Sequence, residues 1–248
     1  MFGQKVRNTP VEGVPVMKII VMKIIREIAA ILVATALLAL GACSFEPKTY
    51  EPTDDSCFVY SLNEDGESYS VAAAEGATLP QTVYLPVEHD GKTVSAVAAE
   101  GFKGLAITKV VIPANIKTLG TKAFAESASL QEAYFYKGIT AVGDFAFENC
   151  AALKKLDLPE SVKTLGAGAF KGCTGIEKVV LPYSATSVGD ACFIYCSSLK
   201  KVTVRKNVEN IGANAFYGCS EEIKFEVAAA NEKYTTNEDY SAIIERAK

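Results

Sequence analysis

Four cysteines, Cys150, Cys173, Cys196 and Cys219, recur at a constant interval of 23 residues, and Cys192 adds a Cys-x3-Cys pair with Cys196. Thiolates hold zinc, and pairs of thiols run disulfide exchange. Tetrahedral zinc sites normally draw on paired ligands such as Cys-x2-Cys that converge from two sides. A ladder at a fixed long interval instead points its thiols the same way along a line, which suits buried small side chains better. Cys192 occupies a position held elsewhere by Ala146, Ala169 and Ala215, which marks a core substitution rather than a redox motif. Acid–base chemistry fares no better, because His89 is the only histidine. Gly91-Lys92-Thr93 has the tail of a phosphate-binding loop, but Pro86 stands where its first glycine belongs. Neither Gly-x-Ser-x-Gly nor His-Glu-x-x-His occurs. The expectation is a protein that is not an enzyme and takes no cofactor or metal.

The elements that position these residues share the same period. Ile116, Ile139, Val162, Ala185 and Val208 open successive units, followed in each by glycine at 120, 143, 166, 189 and 212. Phe124, Phe147, Phe170, Phe193 and Phe216 complete the pattern. A fixed period in the twenties is the mark of a repeat solenoid, in which each unit buries its apolar face only against its neighbours. Within a unit, residues 153–158 alternate apolar and polar, which predicts a strand with Leu156 and Leu158 facing inward. The matching inward pairs are Val110/Ile112, Ala133/Phe135, Val179/Leu181 and Val202/Val204. Proline at 113, 159 and 182 closes the strand, where a missing N–H costs little. The opening apolar residues make a second inward-facing segment, and glycine supports a tight turn. Ala-Phe-x-x-Cys is expected to form a short helical turn whose phenylalanine plugs the core. Parallel side chains in neighbouring units cannot reach the dihedral of about 90° that a disulfide needs, so the thiols are expected to be free and buried.

The pattern sets the domain organisation. Residues 94–227 are the regular repeats, with Ser127 replacing one cysteine and Glu222 standing at a usual leucine position. Residues 57–93 read as an N-terminal cap and degenerate repeat, opening with a hairpin signal at Asn63-Glu64-Asp65-Gly66. Residues 228–248 read as a C-terminal cap. Asn115, Ser161, Ser184 and Asn207 form a polar column at the turn after each strand, where short side chains satisfy backbone groups.

Residues 1–43 read as a targeting segment. Lys18, Lys23 and Arg26 precede an uncharged run over 28–42 that is shorter than the ~20 residues of a membrane-spanning helix. It ends in Leu40-Gly41-Ala42-Cys43, which resembles the bacterial lipobox, so Cys43 is expected to carry a lipid as the mature N-terminus. Met17 and Met22 each open a more typical signal peptide than Met1 does. Residues 44–56 are polar with two prolines and read as a tether. These features predict an exported lipoprotein anchored at the cell envelope and exposed at the surface.

The units resemble the BspA-type leucine-rich repeat family of bacterial surface proteins. The resemblance rests on Leu153-x-x-Leu156-x-Leu158-Pro159-x-Ser161-Val162-x-x-Leu165-Gly166-x-x-Ala169-Phe170-x-x-Cys173. It implies a mainly β, curved, right-handed solenoid with short helical turns. It also implies adhesion or macromolecular binding at the cell surface, and it transfers no catalytic residue.

A ligand is then expected on the solvent side of the strands. Lys109, Lys155, Lys178 and Lys201 align there with Lys224, with Glu132 as the exception. Val111, Tyr134, Asp157, Val180, Thr203 and Glu226 run beside them. The expected site is Lys109, Tyr134, Lys155, Lys178, Val180, Lys201 and Thr203, taking an extracellular or host protein or glycan. A net charge of −4 disfavours nucleic acid. The rival readings are a sheet face merely kept soluble by lysine, and a structural subunit of an envelope assembly.

Overall fold

A computed structural model of the chain describes residues 52–231 and 233. The units contribute short strands to one long, mostly parallel ladder and, in all but one of the regular units, a second strand to one of two shorter parallel sheets, so they stack as a β-solenoid. The cap opens with β1 (Phe58–Leu62) and β2 (Ser68–Ala73), an antiparallel hairpin. After β3 (Thr82–Tyr84) comes a second hairpin, β4 (Glu88–His89) with β5 (Lys92–Val97). Asp90 and Gly91 both take positive φ between them, the turn geometry that matches strand twist.

The opening segments are two-residue strands: β7 (Thr118–Leu119), β9 (Ala141–Val142), β10 (Thr164–Leu165), β12 (Ser187–Val188) and β14 (Asn210–Ile211). They continue the cap in the order β1-β2-β5-β7-β9-β10-β12-β14. The longer strands are β6 (Lys109–Ile112), β8 (Glu132–Phe135), β11 (Lys178–Val180), β13 (Lys201–Val204) and β15 (Lys224–Val227). They form two sheets rather than one, β3-β6-β8 and β11-β13-β15.

The break corrects the expected strand at 153–158. In this ladder only an isolated bridge, Glu132 to Lys155, joins the segment to the strand before it. Leu156 is buried as expected, while Leu158 is only half-buried against the core. The composition explains the failure. The aligned triplets read Val-Val-Ile, Ala-Tyr-Phe, Val-Val-Leu and Val-Thr-Val, each with β-branched or aromatic residues, whereas this one reads Leu-Asp-Leu with neither. Asp157 pairs with Lys155 at 2.8 Å along the same strand instead of across the ladder.

The turns also differ from the expected helical form. Alternate N–H groups point in different directions: Ala146, Glu148 and Cys150 donate three residues back, to Gly143, Phe145 and Phe147. Between them, Phe145, Phe147 and Asn149 donate sideways to Ala167, Ala169 and Lys171 of the next unit. A helix would spend every N–H within itself. This ribbon spends half on its neighbour, and so welds one unit to the next. It needs two left-handed residues per unit, filled at one column by Lys122, Phe145, Gly168, Ala191 and Asn214, and at another by Glu126, Asn149, Gly172, Tyr195 and Gly218.

The glycines at 120, 143, 166, 189 and 212 answer a different demand. A Cβ on Gly189 would lie 2.6 Å from both Ala167 N and Gly166 C in the preceding unit. The obstruction is thus the neighbouring backbone rather than the glycine's own turn. Gly138, which interrupts the polar column, would bring a Cβ to 1.9 Å from Ala114 O.

Candidate functional site

The core columns come first because they decide which chemistry is open. Phe124, Phe147, Phe170, Phe193 and Phe216 stack nearly face-parallel, with centroids 5.2–5.5 Å apart. Each thiol donates to the carbonyl of a phenylalanine in the preceding unit: Cys150 to Phe124 at 3.1 Å, Cys173 to Phe147 at 3.0 Å, Cys196 to Phe170 at 3.1 Å and Cys219 to Phe193 at 3.2 Å. Ser127 makes the same bond to Phe102 at 3.0 Å, which explains why it can stand in this column. Cys219, in the last unit, is only partly buried. All are free thiols. Burial pushes Cys150 up to about 12. Burial, then the adjacent thiols, holds Cys173 well above the ordinary range. Protonated thiols fixed as donors are neither nucleophiles nor metal ligands. Among the described residues no cluster of three or more His, Cys, Asp or Glu side chains is placed to hold a metal.

The polar column works in a similar way. Asn115 donates to Val87 O at 3.2 Å, Ser161 to Ile139 O at 2.7 Å and Asn207 to Tyr183 O at 2.8 Å. Asn231, fully buried, closes the last unit by donating to Arg205 O at 2.8 Å and Val208 O at 3.1 Å. At the same end Glu222 turns outward to Lys200 at 3.2 Å, and Ile223 packs on the core in its place.

The expected ligand face splits along the break between the sheets. On the first half, Tyr134 and Tyr136 stand about half exposed and meet edge-on with centroids 5.1 Å apart. The Lys109 ammonium lies 5.9 Å from the Tyr134 ring and 2.8 Å from Glu132. Val111 departs from the solvent column assigned to it, being buried in register between Tyr84 and Tyr134. Where Lys155 leaves the ladder, a cleft of about 250 Å³ opens, lined by Glu132, Ala133, Tyr134, Phe135, Lys155 and Asp157. Lys155 is exposed, and its hydrogen bond to Asp157 holds its ammonium above the usual lysine range.

On the second half, Lys178, Lys201 and Lys224 are in register across three parallel strands. Val180, Thr203 and Glu226 form the adjacent row. Lys201 pairs with Glu226 at 2.6 Å. The expected residues therefore gather as two groups, Lys109/Tyr134/Lys155 and Lys178/Val180/Lys201/Thr203, rather than as one stripe.

Sequence reasoning passed over a cluster in the cap. His89 stacks on Tyr60 with centroids 3.7 Å apart and meets Tyr69 edge-on at 5.2 Å. Asp55 and Asp90 lie 3.8 and 3.6 Å from its ring nitrogens. The available signal was the strand period, which puts Tyr60 of β1 and Tyr69 of β2 on the same face of the hairpin, diagonal to one another across the Tyr60–Val71 pair.

The residues from 1 to 51, with the expected lipobox at Cys43, lie outside those described, as does most of the expected cap at 228–248. Among the described residues no helix is long and apolar enough to cross a membrane.

Comparison with protein families finds the BspA type leucine rich repeat region in six copies over residues 95–222. Among solved structures the fold is similar to a leucine rich repeat protein of T. pallidum, at 21% identity and TM-score 0.59, covering 80% of this chain and 97% of that one. It is also similar to the pneumococcal vaccine antigen PcpA, at 23% identity and TM-score 0.60, covering 71% of this chain and 49% of that one. A leucine rich cell surface protein from Faecalibacterium prausnitzii matches at 22% identity and TM-score 0.53, covering 74% of this chain and 56% of that one. The chain spans about half the length of the latter two. Comparison with curated proteins found no match.

Proposed function

Because the chain belongs to the BspA-type leucine-rich repeat family, we propose that it is a non-enzymatic binding module of the cell surface that engages an extracellular protein or glycan through its sheet face. Proteins of this family are often surface-associated repeat proteins. The observation that carries the reading is the exposed Tyr134–Tyr136 pair beside rows of charged side chains on the strand face, on a scaffold whose phenylalanine column is buried. Exposed tyrosines on a rigid frame give contact area at low entropic cost. The export reading rests on Leu40-Gly41-Ala42-Cys43, with the lipid on Cys43.

The test immobilises the full chain and exposes it to host matrix, to whole cells and to extracts of its own envelope. A binding module captures partners from the first two, and Lys155→Ser/Lys178→Ser/Lys201→Ser or Tyr134→Ala lowers that capture while the thermal melt stays unchanged. Co-purification with envelope neighbours alone assigns a structural role instead. For export, Cys43→Ala yields unprocessed or released protein; continued labelling by fatty acid in that variant sinks the anchor.

A further inference from the structure

We infer, on the basis of the sheet-face reading above, that the ligand is an anionic polysaccharide, held by the lysine row on one half of the face and by the tyrosine cleft on the other. Lys178, Lys201 and Lys224 lie directly opposite one another in successive parallel strands. Like charges in that arrangement repel and return nothing to the fold. Of the three, only Lys201 has an ion pair among the described residues. Lys178 and Lys224 therefore present ammonium groups two strands, or about 10 Å, apart. That is a repeating cationic comb on a chain whose net charge is −4, so the positive charge on this face is local and not a property of the surface as a whole.

The other half favours a sugar chain over an acidic peptide or a nucleic acid. Tyr134 lines the cleft of about 250 Å³ and meets Tyr136 edge-on, both about half exposed. That volume falls below the range of drug-sized pockets and suits a single ring rather than an extended side chain. Glu132 and Asp157 line it. Ionised carboxylates only accept hydrogen bonds, so their partners must be donors. Hydroxyl groups of a sugar ring fit, since they can donate to the carboxylate lone pairs left open by the lysines and accept from the Lys155 ammonium that lines the same cleft. Lys109 and Lys155 hold these carboxylates in place at 2.8 Å each. A chain that alternates hydroxyl-bearing rings with anionic groups is complementary to both halves.

The experiment measures retention of the purified full-length chain on heparin, polygalacturonate, neutral dextran and polyglutamate, at about 0.1 M and about 1 M salt. Retention on heparin or polygalacturonate but not on dextran, lost at high salt, is the expected result; the two resins separate sulfate from carboxylate as the anion. Lys178→Ser/Lys201→Ser/Lys224→Ser should weaken it about tenfold. Tyr134→Ala should weaken retention on the glycans and leave any retention on polyglutamate unchanged. Thermal melts confirm that the variants are folded. Equal retention on dextran, no retention on either anionic glycan, or polyglutamate retention that matches the glycans with Tyr134→Ala without effect, overturns the proposal. If the glycans fail but the same lysine variants lose a captured protein, the sheet face remains the site and only the ligand class falls. If those variants capture every partner as the parent does, both readings fall.

Discussion

Phe170 sits fully buried between Phe147 and Phe193, with ring centroids 5.4 and 5.2 Å away. Truncation to alanine leaves a cavity that stacked neighbours cannot close, and should cost about 3–5 kcal/mol in chemical denaturation. The thiols beside it make a pH prediction. Burial raises Cys150 from 9.0 to about 12, so the unfolded chain loses that proton first as pH climbs. Its contribution is complete below about pH 9 and declines from there toward 12. Melting temperature should fall over that alkaline window, and the fall should be shallower in Cys150→Ser. Ser127 already shows that a hydroxyl can make the bond to the phenylalanine carbonyl. A Cys150→Ser profile that matches the parent's would remove the thiol from the account. The left-handed columns give an opposed pair of outcomes. Ala191, at φ 52°, should gain up to about 1 kcal/mol on change to glycine. Gly168→Ala should lose stability, because its Cβ would meet the Phe145 ring at 2.5 Å.

The element that matters most is the segment that fails to become a strand. Leu156→Val with Asp157→Thr supplies β-branched residues of the kind that β6 and β13 carry at the aligned positions. The double variant should join the two sheets, which hydrogen exchange would register as slower exchange at Ala133–Phe135 and 178–180. It should also close the cleft, so glycan retention should fall as stability rises. Unchanged exchange would mean that something other than composition splits the ladder. This segment also marks the limit of what the residues disclose in order. The period, the phenylalanine and cysteine columns and the inward-facing pairs were legible because identical side chains at identical spacing must face the same environment. The break at Lys155 was not, since alternation alone satisfies the strand pattern and the ladder depends on two flanking units at once. The turn ribbon was hidden for a related reason: lysine, phenylalanine, alanine and asparagine share one left-handed column with glycine, so no residue type announces it. Tyr134 was legible as exposed, but its pairing with Tyr136 depended on side-chain directions.

For the molecule as a whole, the stacking has a mechanical corollary. The lateral bonds, such as Phe147 N to Ala169 O at 2.7 Å and Gly143 N to Leu119 O at 3.0 Å, run from unit to unit along the stack. Tension between the two ends therefore pulls each bond along its own length, and the bonds break in succession rather than sharing the load in shear. Stretching a single molecule should give a sawtooth of low, even peaks. Each peak should release one 23-residue unit, or roughly 75 Å of extended chain less the thickness the unit occupied. The sheet break between Glu132 and Lys178 should yield first, because one bridge stands there in place of a full strand. A protein loaded in this way would lengthen unit by unit under pull, as a shock absorber does, before it lost its hold on whatever lay at either end.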